Sequence, residues 1–69
     1  MFAQRLRELR KRGGVSQAAL ASLLGVTQQA VGKWEAGRAT PDPQTLARIA
    51  AYFSVSADYL LGSIPDPAA

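Results

Sequence analysis

The sequence predicts an all-α fold, a compact bundle of about five helices, and three observations carry that reading. Apolar residues recur at three- and four-residue spacing along successive segments. Ser, Thr or Asp stands in front of most of these segments, and Gly closes most of them. The chain has 69 residues with neither Cys nor His, so there is no disulfide and no thiolate or imidazole to hold a metal, and stability must come from helix packing. A chain this short buries only about 60% of its unfolded surface.

In the first segment Phe2, Leu6 and Leu9 fall on one face, with Arg5, Arg7 and Glu8 between them and Gly13-Gly14 as a stop, giving a helix from Phe2 to about Lys11. Its basic end, Arg10-Lys11-Arg12, compensates the helix dipole as well as offering charge to a partner. Ser16 is suited to cap a second helix running to about Leu24, with Leu20 and Leu24 inward, Gly25 as the left-handed closing residue and Val26 making the apolar contact that follows it. Ala19 stands where a reciprocal capping box has Glu or Gln.

Thr27 caps a third helix that opens with Gln28-Gln29, ends near Ala36-Gly37, and turns Val31 and Trp34 inward. Gly32 inside it costs on the order of 1 kcal/mol relative to Ala. Asp42-Pro43 is a cap and first-turn pair for a fourth helix with the stripe Leu46, Ile49, Ala50 and Phe53. Ser56 caps a short fifth helix through Tyr59, Leu60 and Leu61, stopped by Gly62. Residues 1–62 are thus read as the domain and 63–69, which hold Pro65 and Pro67, as a tail expected to be mobile unless Ile64 docks.

Charge is unevenly placed. The net charge is +3, and Arg5, Arg7, Arg10, Lys11, Arg12, Lys33 and Arg38 precede Ala39 against only Glu8 and Glu35. Beyond it Arg48 is set against Asp42, Asp58 and Asp66. The first half therefore suits a polyanionic partner and the second suits packing. No apolar run reaches the roughly 20 residues of a membrane helix, and the start lacks a signal-peptide core, so a cytoplasmic protein is expected.

Two helices joined by a tight turn containing Gly, the second with a polar first turn, describe a helix-turn-helix, whose second helix enters the major groove of duplex DNA. The words Ser16-Gln17-x-x-Leu20-Ala21-x-x-Leu24-Gly25-Val26 and Lys33-Trp34-Glu35-x-Gly37 resemble the phage-repressor-type (Cro/repressor, Xre) helix-turn-helix family, a lambda-repressor-like fold. The segments Pro41 to Phe53 and Ser56 to Gly62 resemble its fourth and fifth helices.

The resemblance implies that Gln28 and Gln29 face base edges. The chemistry fits, since a carboxamide presents a donor and an acceptor side by side to adenine N6 and N7. Lys33, one turn beyond Gln29, reaches a guanine or a phosphate. Gln17, Thr27, Arg38 and Thr40 are candidates for phosphate, contacts that position without specifying. Glu35, unwelcome near phosphates, is implied to pair with Arg10 as a structural ion pair. Leu20, Ala21, Leu24, Val26, Val31 and Trp34 are read as core, Trp34 by its spacing to Val31 and against a base-stacking role.

The function implied is sequence-specific binding of double-stranded DNA and regulation of transcription, repression foremost, as a homodimer on an inverted repeat with half-sites about one helical turn apart. Tyr59, Leu60, Leu61 and Ile64 are candidates for the dimer surface, with closure of the protomer core as the alternative for each. No nucleophile-base pair is visible, so no enzyme, cofactor, metal or small-molecule ligand is expected. Two rivals stand beside this reading. One is an antitoxin-type interaction module whose DNA binding is autoregulatory, and the other is a restriction-modification controller.

Overall fold

Each helix starts and stops where nearby groups can close its open backbone. The computed structural model describes residues 1–63, which form α1 (Phe2–Arg12), α2 (Gln17–Leu24), α3 (Gln28–Glu35), α4 (Pro43–Tyr52) and α5 (Ala57–Leu61). Ser16 Oγ accepts from Ala19 N at 3.0 Å, Thr27 Oγ1 from Ala30 N at 3.1 Å, Asp42 Oδ1 from Thr45 N at 3.2 Å and Ser56 Oγ from Tyr59 N at 3.0 Å. Each bond satisfies one of the free N–H groups at a helix start, worth about 1 kcal/mol. Met1, before α1, supplies no such side-chain bond.

The C-terminal ends all use one motif. A residue in the left-handed region follows each helix, and the next residue's N–H reaches back to the carbonyl five residues earlier in the chain. These bonds are Val15 N to Arg10 O at 3.0 Å, Val26 N to Ala21 O at 3.0 Å, Arg38 N to Lys33 O at 2.9 Å, Val55 N to Ala50 O at 2.9 Å and Ser63 N to Asp58 O at 2.8 Å. Four of the left-handed positions are Gly, but after α4 it is Ser54, with φ 56°. Three connections are therefore built alike, as a left-handed residue, a Val and an N-cap: Gly14-Val15-Ser16, Gly25-Val26-Thr27 and Ser54-Val55-Ser56. In each the Val is partly buried against the core, so three residues stop one helix, wedge the bend and start the next.

The core draws on every helix. Leu6, Leu20, Val31, Ile49 and Leu60 are fully buried, surrounded by Phe2, Leu9, Ala21, Leu24, Trp34, Ala50 and Tyr59. Each large side chain so buried contributes about 1.5–3 kcal/mol. Val26, Leu46 and Phe53 are half-buried at its margin, so the α4 stripe is centred on Ile49 and Ala50.

Arginines tie the helices together end to side. Arg48 on α4 donates to the Leu24 and Leu23 carbonyls at 3.0 Å each, satisfying the end of α2. Arg7 on α1 donates to the Glu35 carbonyl at the end of α3 at 3.1 Å. Arg5 donates to the Tyr59 carbonyl and lies 4.4 Å from the centre of the Tyr59 ring, holding α5 on α1. A cation at a helix C-terminus is favourable both as donor and as charge. Part of the basic excess of the first half is therefore spent inside the protein.

Candidate nucleic-acid interface

α3 presents two unlike faces. Val31, Trp34 and Glu35 turn inward at three- and four-residue spacing and are buried. Gln29 and Lys33 occupy the opposite side and Gln28 the first turn, and all three are exposed, as are Thr27, Arg38 and Thr40 at the flanks of the helix. Thr27 holds its hydroxyl oxygen in the cap of α3, a local role that leaves the hydroxyl proton for another acceptor. The three residues expected at base edges thus lie along one exposed strip from the first turn to the outer side of α3, and among the described residues no hydrogen bond engages their side chains.

Gly32 lies half-exposed beside that strip. A Cβ there would meet only the Gln17 Oε1, at 4.0 Å, so packing within the protein does not require a glycine at this position.

Behind the strip sits a polar cluster. Arg10 grips the Glu35 carboxylate with both edges of its fork, Nε to Oε2 at 2.6 Å and Nη2 to Oε1 at 2.9 Å, and its Nη1 donates to the Val15 carbonyl at 3.0 Å. Gln17 Nε2 donates to the same Oε1 at 3.2 Å, and Arg7 Nε lies 4.0 Å from it. Burial pushes the Glu35 carboxyl upward, but the hydrogen bonds from Arg10 and Gln17 and the charges of Arg10 and Arg7 outweigh it and hold the group below its ordinary range. The hydrogen bond to Glu35 raises Arg10 against its own burial. A buried carboxylate this well paired is an anchor, since removing either partner would strand the other.

The ion pair expected between Arg10 and Glu35 is present, and α1, α2 and α3 all meet at it. Gln17, expected at phosphate, sits half-buried with one amide N–H committed to Glu35. A carboxamide has a second N–H, so this bond orients the group without exhausting it. Sequence reasoning missed Arg7 and Arg48, whose partners are backbone carbonyls of other helices. No side-chain pattern encodes such partners.

Two of the four dimer candidates need correction. Tyr59 and Leu60 are 2% and 0% exposed and close the protomer core. A five-residue helix rich in apolar side chains has no period long enough to tell its buried face from its free one. Leu61 is exposed, and Ile64 lies outside the described residues together with most of the tail.

Comparison with known proteins agrees with this geometry. The chain matches the family described as Helix-turn-helix over residues 6–60. It is 44% identical over 61 residues to the SPbeta prophage-derived HTH-type transcriptional regulator YonR of Bacillus subtilis, covering 88% of this chain and 56% of that protein. The crystal structure of a transcriptional regulator from Listeria innocua superposes with a TM-score of 0.88 at 35% identity, covering 96% of this chain and 62% of the other. The c2 repressor of Salmonella phage P22, crystallised with a synthetic operator, superposes with a TM-score of 0.82 at 32% identity, covering 87% of this chain and 91% of the other. The chain thus spans about three-fifths of the length of the first two of these relatives.

Proposed function

The chain belongs to the helix-turn-helix family, and from that premise we propose that it binds double-stranded DNA sequence-specifically and regulates transcription. In this reading α3 enters the major groove, Gln28 and Gln29 read base edges, and Lys33 adds a guanine or phosphate contact. Gln17, Thr27, Arg38 and Thr40 hold the flanking phosphates. The single observation that carries the reading is the exposed strip of Gln28, Gln29 and Lys33 on a helix whose inner face is locked by Trp34 and Glu35. The operator-bound state of the P22 c2 repressor, whose crystallised chain matches this one over 91% of its length, supports it.

Occupation of a promoter gives repression directly, and a homodimer on an inverted repeat would join two weak half-site contacts into one stable complex. Leu61, exposed on α5, is the remaining described candidate for that contact.

The test is selection of bound fragments from a random duplex library, with the wild type and with the double variant Gln28→Ala, Gln29→Ala at matched salt. A palindromic preference that collapses in the double variant is the expected result, each lost bidentate contact removing about 1–3 kcal/mol of discrimination. Binding that is salt-sensitive but blind to sequence in the wild type would overturn the reading.

A further inference from the structure

We propose that Arg7 is a phosphate-binding residue of the DNA interface, acting beside Gln17; the inference rests on the DNA-binding reading above. It begins with the charge balance around Glu35. Arg10 commits Nε, Nη1 and Nη2 to acceptors inside the protein, and its side chain is only 14% exposed. That one guanidinium already matches the Glu35 carboxylate charge for charge and edge for edge.

Arg7 brings a second cation to the same carboxylate. Its Nε stands 4.0 Å from Oε1, beyond hydrogen-bond reach, and its side chain is 52% exposed. Its Nη2 donates to the Glu35 carbonyl, which fixes the position of the guanidinium but does not neutralise it. The cluster of Arg7, Arg10 and Glu35 therefore carries one surplus positive charge, and the exposed member of the three is Arg7.

The surplus lies where a phosphate is expected. Gln17 Nε2 and Arg7 Nε approach the same Glu35 oxygen, at 3.2 Å and 4.0 Å. The two groups are thus neighbours at the junction of α1, the first turn of α2 and the end of α3. A half-exposed guanidinium held in place on one edge loses little freedom when its other edge meets a phosphate, and its planar fork suits that ligand. Arg5, two residues before Arg7 on the same helix, turns instead to α5, where it meets the Tyr59 carbonyl and ring.

The experiment measures affinity for the selected operator and for an unrelated duplex across a salt series. The proteins are the wild type, Arg7→Gln, Arg7→Lys and Arg5→Gln, each with its melting temperature. Gln at position 7 keeps an N–H donor for the Glu35 carbonyl and removes the charge. Arg7→Met, which keeps the apolar stem, is a second neutral variant in case Arg7→Gln fails to fold.

The expected result is a fall of about one in the slope of log affinity against log salt for the neutral variants. Affinity for both duplexes should fall by the same factor, with base preference retained. Arg7→Lys should keep the slope, and so should Arg5→Gln. An unchanged slope in the folded neutral variants overturns the proposal, as does an equal fall in Arg5→Gln, which would mean a diffuse field and no contact at Arg7. Wild type that binds neither duplex would sink the DNA-binding reading itself, an outcome visible before any variant is compared.

Discussion

The two faces of α3 are made from the same eight-residue helix and have opposite physics. The inner face ends in Trp34 and Glu35, buried and held by groups from α1 and α2. The outer face and the first turn carry Gln28, Gln29 and Lys33, exposed and, among the described residues, in no side-chain hydrogen bond that changing them would break. The difference separates two jobs that a binding helix must combine. One face fixes where the helix is, and the other is left open to determine what it reads. A rigid back lowers the ordering cost at the front, because the polar side chains are presented on a support already packed in place before a ligand arrives.

Glu35→Ala attacks the inner face and should have the largest effect. It strands the largely buried Arg10 guanidinium and frees Gln17, with an expected loss of about 3 kcal/mol of stability. Chemical denaturation reads it, and an effect under about 1 kcal/mol would show that the anchor is dispensable. Gln28→Ala with Gln29→Ala, on the outer face, should change DNA preference as described above while stability stays within about 0.5 kcal/mol of wild type. A large drop in the melting temperature would break the division between the faces.

Acid sharpens the same comparison. Because the Glu35 carboxyl is held below its ordinary range, the native state binds its proton less readily than the unfolded chain. The stability it contributes is present above the ordinary glutamate range and is lost as pH falls through the lowered native value. Asp42, lowered by its cap bond to Thr45, acts with the same sign. Melting temperatures followed downward from neutral pH should therefore decline at the acid end. The decline should be shallower in Glu35→Gln, and a curve of unchanged shape in that variant would assign the acid loss to Asp42 and other carboxyls.

The smallest effect is expected away from both faces. Ser54→Gly relieves a left-handed conformation that costs an L-residue about 1 kcal/mol or more, offset in part by the greater freedom of Gly in the unfolded chain. A net gain of about 0.5 kcal/mol with unchanged DNA binding is expected by denaturation and titration.

Most of the fold was legible because it is written locally. Ser16, Thr27, Asp42 and Ser56 act as caps within three residues of themselves, and Gly25 needs only its own backbone angles to end α2. Leu20, Val31 and Trp34 declare their burial by spacing. The pairing of Arg10 with Glu35 came from family resemblance, because 25 residues separate the two and no local rule joins them. What stayed hidden depends on tertiary approach. Arg7 and Arg48 seek carbonyls on distant helices, and Tyr59 and Leu60 sit in a helix too short to show a period.

The three-residue connection Gly25-Val26-Thr27 leaves no slack between α2 and α3, since each residue already belongs to a helix end, a wedge or a helix start. One residue added within the start of α3 would advance its faces by about 100°, moving Trp34 out of its place in the core and shifting the exposed strip to another side of the helix. Such a chain can acquire new preferences by exchanging side chains on the outer strip. It cannot do so by changing length at the bend, and insertions are confined to stretches such as 38–41, where no helix is phased to its neighbour by so short a bridge.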